Sequence, residues 1–137
     1  MTISPLILPR VLLYFDAQRR RYEPGETLSG YYALEGIPAR DVKAVELSIL
    51  WYTDGKGEED LAVHFFDRLD PSASLVDLTQ PRPFSTRLPL SPMSYAGVIL
   101  KIRWSVRVRV FVAQGKDLMA EEPFELGNVP PAHEVDP

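Results

Sequence analysis

The stretch Val98-Ile99-Leu100-Lys101-Ile102-Arg103-Trp104-Ser105-Val106-Arg107-Val108-Arg109-Val110-Phe111-Val112 decides the fold class. Every even-numbered residue in it is apolar, and most of the odd-numbered ones are polar or basic. Successive side chains of a strand point to opposite faces, so this alternation describes a strand with one buried face. At about 3.3 Å per residue it would run roughly 50 Å, beyond the usual strand, and a bend or bulge near Ser105 is expected.

On the N-terminal side, Val45, Leu47, Ile49 and Trp51 alternate with Glu46, Ser48 and Tyr52, and the run ends at Thr53-Asp54-Gly55-Lys56-Gly57. Glycine there supplies the positive φ of a tight turn, which makes this the first arm of a hairpin and Leu61 to Leu69 the second. Thr27 to Glu35 forms another strand after Glu23-Pro24-Gly25-Glu26, a proline-glycine pair suited to a type II turn. Leu6 to Phe15, Pro83 to Leu90 and Leu118 to Leu126 bring the count to about seven strands. Helical spacing is nowhere sustained over three turns, and one short helical turn is expected within Pro71 to Thr79. About seven strands with frequent turns give an all-β fold, an antiparallel two-sheet sandwich of the immunoglobulin-like class.

The 137 residues suit one domain, expected over residues 1–127, with a proline-rich tail at 128–137 outside the core. Fifteen basic and nineteen acidic side chains give a net charge of −4, so the whole molecule is not drawn to nucleic acid, and any basic site is local. The absence of cysteine excludes disulfides, thiol nucleophiles, iron–sulfur clusters and the common structural zinc sites. No apolar run approaches the roughly 20 residues of a membrane span, and Pro5, Pro9 and Arg10 interrupt the N-terminal apolar stretch, so a cytoplasmic location is expected.

Two segments carry a family resemblance. Tyr22-Glu23-Pro24-Gly25-Glu26-Thr27-Leu28-Ser29-Gly30 resembles the Y-x-P-G-E-x-(V/L)-x-G start of arrestin N-terminal domains. Phe84-Ser85-Thr86-Arg87-Leu88-Pro89-Leu90, Pro92-Met93-Ser94-Tyr95-Ala96-Gly97 and Ile102-Arg103-Trp104-Ser105-Val106 are similar to that family's F-x-x-x-LP, P-x-S-(F/Y)-x-G and I-x-(Y/W)-x-(V/L) series, in the same order. Bacteria also have arrestin-like proteins, among them a sporulation-control family. The resemblance implies an arrestin-type sandwich acting as a non-catalytic scaffold or adaptor for protein partners, without a cofactor. Arrestins pair two sandwiches, and a single one is expected here. The Pro-Pro-x-Tyr motif of ligase-recruiting members is missing, because Pro130-Pro131 is followed by Ala132-His133.

The outward face of the long strand is the candidate binding surface. Lys101, Arg103, Arg107 and Arg109 share one register with no acid among them, and arginine grips carboxylate or phosphate through a planar fork. Acidic or phosphorylated protein segments and anionic lipid are the ligands such a stripe suits; pairing with the acids of Asp117 to Glu125 is the internal alternative. A hairpin turning near Gly115 would set Arg109 against Glu121 or Glu122, Arg107 against Pro123 or Phe124, and leave Arg103 and Lys101 free. Arg19, Arg20 and Arg21 form a second basic group, read as solvated loop charge. His64 and His133 are too far apart in sequence to suggest a metal or catalytic pair, and His64 is read as a hydrogen-bonded structural residue. Asp54, Glu58, Glu59 and Asp60 read as a solvated hairpin tip and not a calcium loop. Trp51 and Trp104 fall on the apolar faces of their strands and are expected to be buried, which weakens the rival reading of a carbohydrate-binding sandwich. A single sandwich of this type exposes unpaired edge strands, so a two-fold homodimer is expected.

Overall fold

The computed structural model describes residues 8–55, 59–71, 78, 80–97 and 100–127. Most of the span expected to hold a helical turn and the whole proline-rich tail lie outside these residues, as do Leu6, Ile7, Val98 and Ile99. The described chain forms nine strands: β1 Arg10–Phe15, β2 Arg21–Tyr22, β3 Thr27–Glu35, β4 Val42–Gly55, β5 Leu61–Leu69, β6 Arg82–Arg87, β7 Tyr95–Ala96, β8 Leu100–Val112 and β9 Leu118–Leu126. Seven correspond to the expected runs, and the two additional ones, β2 and β7, are only two residues long. Among the described residues a single 3-10 turn, Ala39–Asp41, leads into β4.

The strands form two sheets. β1, β3 and β6 pair in that order in the smaller one; the larger runs β2-β9-β8-β4-β5, with β7 also paired to β8. All neighbours are antiparallel except β2 and β9, which run parallel. The core lies between the sheets. Trp104, Val106, Val108 and Val110 of β8 and Val45, Leu47 and Ile49 of β4 face Leu13, Phe15, Leu28, Tyr32 and Phe84 of the smaller sheet. Each such side chain removed from water contributes about 1.5–3 kcal/mol. At one end, Phe15, Tyr22, Trp104 and Phe124 meet ring to ring, with centroids 5.8 to 6.3 Å apart.

The long strand differs from expectation at its midpoint. No register shift occurs at Ser105, because β4 matches β8 rung for rung from Ala44 to Gly55. The irregularities fall on other strands of the same sheet. An extra residue of β4, Lys43, lies between the rungs at Val42 and Ala44, and an extra residue of β5, His64, lies between the rungs at Ile49 and Leu50. Ser105 also breaks the alternation, since it is buried although it shares the outward register. Its hydroxyl donates to Glu121 Oε1 at 2.6 Å, and Arg107 Nη2 donates to the same oxygen at 3.0 Å.

Candidate functional site

The basic stripe does not remain one surface. Lys101 and Arg103, near the start of β8, line a groove of about 510 Å³ beneath the β7 segment, whereas Arg107 and Arg109 lie further along the strand and outside it. The groove also takes in Arg20 and Arg21, which the sequence presented as solvated loop charge. The parallel pairing of β2 with the end of β9 places Arg21 beside Glu125 and Tyr22 beside Leu126. Backbone bonds from Glu125 to Arg20 at 2.7 Å and from Gly127 to Tyr22 at 2.7 Å hold this junction. Nothing in the linear pattern signals that contact, because it joins segments about a hundred residues apart.

The opposite wall is the segment carrying the Pro-x-Ser-Tyr-x-Gly motif, and its residues have structural roles. Trp104 Nε1 donates to the Pro92 carbonyl at 2.7 Å. The Ser94 N–H donates to the Leu126 carbonyl at 2.7 Å, and the Leu126 N–H returns a bond to Ser94 Oγ at 2.8 Å. A Cβ added at Gly97 would meet the Tyr95 ring at 2.5 Å, so only glycine fits beneath that ring. Tyr95 lines the groove, as does Tyr52 of β4.

The expected pairing of the stripe needs correction. Paired residues of β8 and β9 sum to 228, two less than a turn centred on Gly115 requires. Arg109 therefore faces Met119 and forms an ion pair with Asp117 at 3.6 Å, and its guanidinium lies 4.9 Å from the centroid of the Phe111 ring. Arg107 faces Glu121 and pairs with it at 3.0 Å. Arg103 is not free: its Nε donates to Asp54 Oδ2 at 3.1 Å across β4, on the side away from β9. A shift of two residues preserves the faces, so the charges stay outward while their partners change.

The groove thus gathers four cations, Arg20, Arg21, Lys101 and Arg103, and among the described residues a single carboxylate, Glu125, lines it with them. Glu125 pairs with Arg21 at 2.9 Å, Glu122 with Arg20 at 3.1 Å, and Asp54 with Arg103. The side chains of these pairs retain a third to more than half of their exposure. Each such pair contributes only about 0–1 kcal/mol, so an arriving anion can replace the resident carboxylate at little cost. Lys101 has no ion pair among the described residues, although Asp54 is its register partner. The arrangement can hold an anion, and Tyr52 and Tyr95 are among the residues that line it.

His64 Nε2 lies 2.8 Å from the Arg87 carbonyl and joins the edges of the two sheets, in keeping with a structural histidine. Asp54, Glu59 and Asp60 line a smaller cavity with Arg107, and among the described residues no three His, Cys, Asp or Glu side chains gather as metal ligands. Glu58 lies outside the described residues. No helix among the described residues is long and apolar enough to cross a membrane.

No protein-family model matches the sequence, and no curated relative is found for it. Among solved structures, the fold is similar to that of Spo0M, a sporulation control protein from Bacillus subtilis, with a TM-score of 0.59 and 16% sequence identity. The match covers 88% of this chain and 50% of that one, so the chain spans about half the length of Spo0M. Order of strands, two-sheet packing and this likeness together make the chain an arrestin-like β-sandwich.

Proposed function

We propose that this arrestin-like sandwich is a non-catalytic regulatory domain of the cytoplasm that holds an acidic or phosphorylated segment of a protein partner in the groove of Arg20, Arg21, Lys101 and Arg103. The observation that carries the reading is the convergence of these four cations from two separate stretches on one groove of a molecule whose net charge is −4. Guanidinium and ammonium groups recognise carboxylate and phosphate oxygens through charge-assisted hydrogen bonds. Field lines focused in a cleft also draw an anionic chain to it despite the overall negative charge.

The test is binding of fluorescein-labelled acidic and phosphoserine peptides, followed by anisotropy across a salt titration. The double reversal Lys101→Glu with Arg103→Glu should weaken binding about 10- to 100-fold, the equivalent of one charge-assisted bond, while Arg109→Glu should change it little. Equal binding by the parent and the double variant at every salt concentration would exclude the groove. The carbohydrate alternative requires a coplanar row of exposed rings. Tyr14 and Tyr31, whose centroids are 5.2 Å apart, are tilted by 33°, and both tryptophans turn towards the core.

A further inference from the structure

Strand β5 is the end of the larger sheet, and no strand among the described residues pairs with its outer side. An unpaired edge is a template for another strand, and proteins usually guard it with shortness, proline or charge. The other edges have such guards. β2 has two residues, β6 contains Pro83 between Arg82 and Phe84 and ends on Arg87, and β1 follows Pro9, begins at Arg10 and lies against β9 through Phe15 and Phe124. β5 has nine residues with neither proline nor lysine; its guards are the bulge at His64 and the charges of Asp67 and Arg68 towards one end, and neither puts a charge among Leu61, Val63 and Phe66. Its solvent face carries Leu61, Val63 and Phe66, which are 55%, 49% and 52% exposed.

The bulge explains why these three side chains align. Ile49 pairs with Phe65 and Leu50 with Val63, so His64 and Phe65 together occupy one rung of the ladder. Phe66 thereby shares a face with Val63 and Leu61 despite its odd spacing. We propose that two copies of this chain join edge to edge through β5, antiparallel about a two-fold axis at Val63. Counting the bulge as one rung, this register sets Val63 opposite Val63 of the second copy and Leu61 opposite Phe66 of the second copy. All three apolar side chains then meet apolar partners. The same count brings Arg68 opposite Glu59 of the second copy. Asp67 falls opposite Asp60 of the second copy, the one like-charged rung, at the solvated end of the ladder. Moving the axis to Phe66 leaves Val63 opposite Arg68, and moving it to Asp67 opposes two carboxylates. Within Leu61–Leu69 the charges of Asp67 and Arg68 cancel, so this edge is neutral in a molecule of net charge −4. An antiparallel strand is its own complement about a two-fold axis, which makes a second copy the fitting occupant.

The chain contains no cysteine, so Val63→Cys introduces a lone thiol. Residues directly opposed on antiparallel strands have Cα atoms about 4.5–5.5 Å apart, within the span of a disulfide. Mild oxidation of Val63→Cys at high micromolar concentration should give a covalent dimer, while Tyr14→Cys on the outer face of the smaller sheet should give little. Sedimentation equilibrium of the parent chain should show a mass that doubles with concentration. Val63→Lys, which opposes two ammonium groups, should remain monomeric, and Val63→Thr should restore the dimer. A parent that stays monomeric at several hundred micromolar would overturn the proposal. So would a dimer that cross-links no better through position 63 than through position 14.

Discussion

Trp51 and Trp104 oppose one another directly on β4 and β8, yet only Trp104 is fully enclosed, with 1% of its surface exposed. Phe124 lies beside Trp104 with ring centroids 5.8 Å apart, and the Pro92 carbonyl accepts its indole N–H. Trp51 is only partly buried, nearer the β5 edge, where Ala62 is its neighbour. Trp104→Ala should therefore cost about 3–5 kcal/mol and Trp51→Ala distinctly less, because a partly exposed site leaves a smaller cavity. Urea midpoints of the two variants test this; equal losses would contradict the unequal burial.

Gly30 ends the Tyr-x-Pro-Gly-Glu motif, and its position explains why glycine stands there. A Cβ at this site would press on the Tyr14 carbonyl, on Phe84 Cζ at 2.8 Å and on Phe15 Cα at 3.1 Å. Two of these neighbours are backbone atoms on a paired strand and cannot swing away. Gly30→Ala should destabilise the chain by about 1–3 kcal/mol, the usual cost of overpacking. A thermal melt at the parent's temperature would contradict this.

The Tyr22 hydroxyl is buried with no hydrogen-bond partner among the described residues, which predicts that Tyr22→Phe is neutral or stabilising by up to about 1 kcal/mol at pH 7. Burial raises the pKa of both Tyr22 and Tyr32 above the ordinary 10.0. For a group raised in the folded state, the stabilising contribution is complete below the unfolded value and is lost as pH rises through the folded value. Stability should accordingly fall from about pH 10 upward, and the double variant Tyr22→Phe with Tyr32→Phe should fall less steeply. Urea midpoints measured from pH 8 to pH 11.5 give the two slopes; parallel curves would contradict the assignment.

Asp54 occupies Arg103 on the side facing β4, and Asp54→Asn should release that guanidinium. The pair is half-exposed, so stability should change by less than about 1 kcal/mol. Binding of the acidic and phosphoserine peptides should tighten at low salt and approach the parent value at high salt, because screening removes the gain. Unaltered affinity at low salt would contradict the competition between Asp54 and a ligand.

Alternation alone was enough to identify the long strand, its buried even-numbered face and the outward direction of Lys101, Arg103, Arg107 and Arg109. Face parity is a local property of the chain, set at each residue by the pleat. Pairing partners were not legible, because the turn at Ala113 to Asp117 closes two residues from the symmetric count, and that shift moves Arg107 onto Glu121 and Arg109 onto Met119 without changing any face. The bulge at His64 was likewise hidden: it exists only relative to the β4 rungs opposite it, and it alone puts Phe66 on the same face as Val63. The groove was decided still further from the sequence. Arg20 and Arg21 reach Lys101 and Arg103 through the parallel pairing of β2 with β9, a contact between distant segments that side-chain packing selects and no local periodicity encodes.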